Sequence, residues 1–151
     1  MKISDIGLKL IKHYEGFYPS TYLCPARVPT IGYGTTRIGG KPIPTGMVIT
    51  EQKASGYLME EVNMIEKQLV SCIKTSLSQN QWDAIYSFVY NLGITNFSKS
   101  TLLKCINKNN FTQASTEFLK WNKAAGKELK GLTNRRRSES ILFSSNKLEL
   151  F

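Results

Sequence analysis

Three side chains set the chemical question: the carboxyl of Glu15, the thiol of Cys24 and the hydroxyl of Thr30, all within EGFYPSTYLCPARVPTIGYGTT. Glycoside hydrolysis needs a comparable set: a proton donor at the leaving oxygen, stabilisation of positive charge on the sugar, and a placed water. Glu15 has Tyr14, Phe17 and Tyr18 around it in sequence, and aromatic neighbours disfavour a carboxylate, which keeps an acid protonated near neutral pH. Taken alone, a glutamate at a helix end is far more often a solvated charge; its setting changes the odds. Cys24 is the odd member. A free thiol ionises near pH ~8.5, so only a few per cent is thiolate at pH 7, and beyond Arg27 the sequence offers no device to raise that fraction. The competing reading is a small hydrophobe packed under a hairpin.

The elements that must position these groups follow from periodicity. Ile3, Ile6, Leu10 and Tyr14 recur at helical spacing after Ser4, a candidate cap, and predict a helix to about Glu15 that Gly16 ends. All five prolines fall between 17 and 49, with Gly32, Gly34, Gly39, Gly40 and Gly46, which predicts a small twisted sheet of short hairpins. Gly32 and Gly34 suit a tight hairpin and a close backbone approach. From Thr50, the stripe Ala54, Leu58, Val62, Ile65 and Leu69 predicts a helix of about six turns to 71. Beyond it helices are expected at 78–91, 98–107, 111–121 and 133–144, with turns at 107–110 and 125–131. Trp82, Phe88 and Phe97 read as core, and Trp121 as core or bracing.

Bulk properties narrow the function classes. The 151 residues are 41% hydrophobic and 21% charged, a globular balance that excludes disorder and collagen. The N-terminus lacks the apolar run of a signal peptide or membrane anchor. Three cysteines without a CxxC pair argue against a disulfide scaffold or zinc site. His13 is the only histidine; it reads as a surface or packing residue, and a His-based metal site or a Ser-His-Asp triad has little to build on. The net charge of +9 is uneven: residues 1–71 carry 8 basic and 6 acidic side chains, residues 72–151 carry 12 and 5. Such an excess is either a solvated surface or an attraction to a polyanion, nucleic acid or an acidic wall polymer.

Glu15, Cys24 and Thr30, followed by Ile31-Gly32-Tyr33-Gly34, resemble the Glu–Asp/Cys–Thr signature of phage-type lysozymes, the endolysins of glycoside hydrolase family 24. Residues 79–103, QNQWDAIYSFVYNLGITNFSKSTLL, resemble the family's helical segment with an Asn-x-Gly turn. FLKWNKAAGKELKGLTNRRRSE, 118–139, resembles its C-terminal Trp-Asn, Gly-Leu, Arg-Arg and Glu pattern. The three occur in order, at family-like spacing, over most of the chain.

The resemblance implies an α+β, two-lobed lysozyme fold in one domain, 1–151: an N-terminal helix and β lobe over about 1–49, a connecting helix over about 50–71, and a helical lobe over about 72–151. It makes Glu15 the general acid, places Cys24 at the second catalytic position, commonly Asp, and has Thr30 hold the attacking water. Thr36, Tyr90, Asn91 and Ser100 fall where the family lines its saccharide cleft, and Arg135–Arg137 read as surface and bracing. It implies no metal or cofactor, bacterial peptidoglycan as partner rather than nucleic acid, no membrane insertion, and a monomer. Such an enzyme is made in the host cytoplasm and reaches the wall after export or holin-type release. Two rivals remain: a lytic transglycosylase using Glu15 alone, and a non-catalytic peptidoglycan-binding protein.

Overall fold

The computed structural model describes residues 1–151. Helix α1, Asp5–Glu15, buries Gly7, Leu10 and Ile11. Ser4 stands at its N-cap, but its side chain does not cap: its N–H (2.9 Å) and its hydroxyl both go to the Asp83 carboxylate. The start of α1 is thereby stitched to a helix of the other lobe. Gly16 ends α1 at φ 73, its N–H on Lys12 O, a conformation that favours glycine.

The β segment forms two separate antiparallel ribbons, where one small sheet is expected. Strand β1, Tyr18–Leu23, pairs with β2, Pro29–Gly32; β3, Arg37–Ile38, pairs with β4, Lys41–Pro42. Isolated bridges at Ser20–Val48 and Ile31–Thr35 add the only further pairing. The reason is local. Prolines lack the N–H a ladder requires, and glycines 32, 34, 39, 40 and 46 all hold positive φ, so each strand stops within a few residues.

Helix α2, Glu51–Cys72, begins at Thr50, whose hydroxyl accepts from Lys53 N, and buries Ala54, Leu58, Val62, Ile65 and Leu69. That stripe is the one the sequence predicts. Its 22 residues span about 33 Å at 1.5 Å per residue, and it contacts β2 of the small lobe as well as α3 and α4 of the large one.

The large lobe is built around α3, Gln79–Leu92, which opens with a Ser78–Gln81 capping box and is buried continuously from Trp82 to Val89. Around it lie α4 (Ile94–Ser98), α5 (Thr101–Asn107), α6 (Phe111–Glu117), a 3-10 turn (Phe118–Lys120) and α7 (Lys130–Ser145). The Phe88 ring collects Phe97, Phe118 and Trp121 at 5.6–6.0 Å and the Arg136 guanidinium at 5.1 Å. Besides α7 opening at Lys130 instead of 133, three boundaries differ from expectation. Residues 94–98 form a helix of their own, 118–120 tighten to a 3-10 turn, and Lys123–Ala124 pairs with Lys127–Glu128 (β5 and β6). The two lobes are also pinned at one point: Tyr90 OH donates to Tyr33 O at 2.5 Å, and Tyr33 OH to Glu51 Oε2 at 2.8 Å.

Candidate active site

The last residue of α1, the end of β1, the start of β2 and the end of α3 converge on one hollow of about 420 Å³. Glu15, Cys24, Thr30, Thr36, Tyr90 and Asn91 all line it. A larger hollow, about 600 Å³, lies along α1 beside Asp5, Lys9, Lys12 and His13. The smaller one is the candidate site, because only there do an acid, a thiol and a hydroxyl face one space.

Glu15 does not sit in the aromatic surroundings its sequence neighbours suggest. Phe17 stacks on Tyr33 and Tyr18 on Tyr22, while the Glu15 Oε2 meets Arg135 Nη1 at 2.6 Å. Arg135 is itself held by Ser87 O (3.2 Å), Ser87 Oγ (3.3 Å) and Glu139 Oε2 (3.5 Å). Arg136, fully buried, pairs with Glu139 Oε1 at 2.7 Å. The arginine run is thus not on the surface as expected: Arg135 and Arg136 are interior, and Arg137 alone is exposed. Arg135 and Glu139 form an i, i+4 pair, and the Arg135 side chain runs inward to Glu15.

Gly34 holds φ +81, and a Cβ built there would collide with Glu15 Oε1. Its missing side chain thus serves the carboxyl's position as well as the turn. Cys24 is half-buried, in a turn closed by Arg27 N–H to Cys24 O (2.7 Å) and Cys24 N–H to Val28 O (3.1 Å). The Val28 N–H holds its thiol below the ordinary value; desolvation opposes this, and the Ala26 N–H and Thr30 hydroxyl add to it. The device absent from the side chains is backbone. Thr30 is buried and donates to Val28 O at 2.8 Å. Its single hydrogen can serve that carbonyl or a Cys24 thiolate, and in either case its oxygen keeps lone pairs that can accept a hydrogen bond.

Ser100 is not brought to this cleft. It is 3% exposed, accepts from Leu103 N at 3.1 Å and donates to Phe97 O at 2.6 Å, so it caps α5 with both hydrogen-bonding capacities used. A serine at N-cap position explains its presence fully. Asn91 is the opposite case: its Oδ1 is buried with no partner. Sequence reasoning missed Glu61, which reaches the hollow from α2. Burial pushes its carboxyl up to about 7, the charge of Glu15 adds to that, and the Tyr90 hydroxyl opposes it.

Residues 12–139 match the phage lysozyme family. The chain is 45% identical over 149 residues to an endolysin of Acyrthosiphon pisum secondary endosymbiont phage 1, covering 96% of this chain and 99% of the relative. It is 38% identical over 146 residues to the endolysin of Salmonella phage P22, covering 96% and 99%. Among solved structures, an endolysin from Escherichia coli O157:H7 phage FAHEc1 superposes with a TM-score of 0.92 at 38% identity, over 99% of this chain and 97% of that one. With a lysozyme-like α+β fold and a cleft of this make-up, the chain belongs to the phage lysozyme family, the glycoside hydrolases that act as peptidoglycan-hydrolysing muramidases on the bacterial cell wall.

Proposed function

We propose that the enzyme cleaves the β-1,4 bond between N-acetylmuramic acid and N-acetylglucosamine by inversion, with Glu15 as general acid, Thr30 holding the water and Cys24 accepting its proton. The convergence of these three side chains on one hollow carries this reading. Glu15 gives its proton to the glycosidic oxygen as the bond to the sugar breaks. Arg135, 2.6 Å away, compensates the carboxylate that appears. A water resting on the Thr30 lone pairs attacks the opposite face and passes a proton to the Cys24 thiolate, whose formation the Val28 N–H favours. The sugar is held by Thr36, Tyr90 and Asn91, and the unpartnered Asn91 Oδ1 suits an acetamido N–H.

One observation supports a second reading. The group at position 24 is a thiol where the family commonly has a carboxylate, and a transglycosylase needs Glu15 alone; it leaves an anhydro-muramic end instead of a reducing end. The test is wall clearing with mass analysis of products for wild type and Glu15→Gln. The expected result is reducing-end products and a loss of several orders of magnitude in the variant. Lysis within about tenfold of wild type, about 1.4 kcal/mol of barrier, overturns the general-acid assignment. The enzyme is further proposed to work as a monomer, without nucleic acid or membrane insertion; no helix is long and apolar enough to cross a membrane. It is made in the host cytoplasm and meets the wall after export or holin-type release.

A further inference from the structure

Glu15 is the last residue of α1 and borders two hollows. One, of about 420 Å³, it shares with Cys24 and Thr30; the other, of about 340 Å³, is lined by Leu129, Gly131 and Leu132. At Gly34 no side chain crowds it either. A carboxyl with so much space around it keeps one orientation only if its helix end is held. Its hydrogen-bond partner is Arg135 Nη1, on α7.

The side-chain hydrogen bonds joining α1 to α7 come from two sequence neighbours, Glu15 and Tyr14. Tyr14 OH lies 3.1 Å from Asn134 O and 2.5 Å from Ser138 Oγ, so its contacts fall on either side of Arg135 along α7. The same oxygen accepts the Phe151 N–H at 3.1 Å, while Ser138 gives its hydrogen to Glu149 O at 2.5 Å. The hydrogens therefore run one way: Phe151 N–H to Tyr14, Tyr14 O–H to Ser138 or Asn134, Ser138 O–H to Glu149. Both ends of this circuit lie on the strap 149–151, which follows the left-handed Asn146, φ 67, that ends α7. Arg137 stacks on the Phe151 ring at 4.0 Å, and His13 Nε2 lies 3.3 Å from Phe151 O. Ser138 is fully buried, so opening the circuit strands polar atoms out of reach of water.

We propose that Tyr14 is a positioning residue for the reaction: the circuit it closes with Ser138 and the strap clamps the end of α1 to α7 and keeps Glu15 on Arg135, aimed at the cleft. Tyr14 acts through that pair, so this rests on the general-acid reading above. The experiment measures kcat and KM on soluble glycan strands, with thermal unfolding midpoints, for wild type, Tyr14→Phe, Arg135→Gln, their double variant and Ser4→Ala. Tyr14→Phe keeps the ring and loses the hydroxyl; kcat should fall at least about tenfold while KM stays within about twofold. In the Arg135→Gln background the same change should cost kcat less than about twofold yet lower the midpoint as before, because the pair it steadies is gone. Ser4→Ala removes a hydroxyl bond to Asp83 at the opposite end of α1 and should lower the midpoint without lowering kcat. Side-chain NMR gives a readout apart from lysis. The Arg135 Nη1–H signal, set by Glu15 in wild type, should move in Tyr14→Phe, while the Nε–H signal, held by Ser87 and Glu139, stays. An undiminished kcat in Tyr14→Phe, additive losses in the double variant, a kcat loss in Ser4→Ala that tracks its midpoint, or an unmoved Nη1–H signal overturns the proposal. Should Glu15→Gln itself stay lytic, the general-acid reading fails, and the Nη1–H signal still decides whether Tyr14 steadies the pair.

Discussion

Gly34→Ala separates backbone geometry from chemistry. At φ +81 an L side chain costs about 1–2 kcal/mol, and the new methyl also strikes the Glu15 carboxyl. Gly46 has nearly the same backbone, φ +79, with nothing within 4 Å of a built Cβ. Gly46→Ala therefore carries the folding cost alone. Both variants should lose about 1–2 kcal/mol in urea unfolding monitored by circular dichroism. In turbidity-clearing rates they should diverge: Gly46→Ala stays near wild type, while Gly34→Ala drops at least about 100-fold, the loss expected when a catalytic group is displaced by about 1 Å. Equal lysis by the two variants, at equal stability, would refute the claim that Gly34 makes room for the acid.

The Cys24 series tests the thiol: Cys24→Asp should retain or gain activity, Cys24→Ala should lose most of it, and an alkylating reagent should stop wild type but not the Asp variant. If the Cys24 thiol, which lies below its ordinary value, works as thiolate, wild-type lysis should climb with pH towards that value, and the Asp variant should lack this limb. Wild-type lysis by Cys24→Ala would make Cys24 packing. Ser100→Ala should cost about 1 kcal/mol of stability as a lost N-cap and leave substrate affinity unchanged; a raised KM at unchanged folding would return Ser100 to the cleft. Lysis should weaken as salt rises to about 0.5 M, where the Debye length falls below ~5 Å, if exposed Lys99, Lys104, Lys108, Lys123, Lys127 and Lys130 hold the enzyme to the anionic wall; salt-independent rates would make them a solubility feature.

The sequence was most legible where one rule acted alone. The α2 stripe obeys helical periodicity because one face of that helix is buried along its whole length. Glu15, Cys24 and Thr30 were readable through family spacing. Glu61 was not: flanked by Glu60 and Val62 on an amphipathic helix, it has the same local signature as a solvated charge, and only tertiary placement turns it into the cleft. Arg135 and Arg136 misled for the same reason in reverse, since charged residues mark an exposed face unless a buried partner such as Glu139 awaits them. Ser100 carried two compatible meanings, and the helix cap won. The β5–β6 turn has Ala125 at φ 52 and Gly126 at φ 79; Ala is a weak signal for a position that favours Asn, Asp or Gly, so the segment read as an irregular turn.

The Tyr90–Tyr33 bond has a mechanical meaning for an enzyme whose substrate is a network. A glycan strand cross-linked on both sides cannot be threaded; it must be straddled, so the jaws have to part sideways. A hydroxyl from one jaw fixed to a backbone oxygen of the other, beside the hollow that holds the acid, makes that spot an axle. Motion that preserves the axle swings the rims widely and moves the groups near it little. If the jaws hinge there, gape and catalytic alignment are decoupled: the mouth can admit a thick polymer while the spacing of Gly34 and Glu15 stays set.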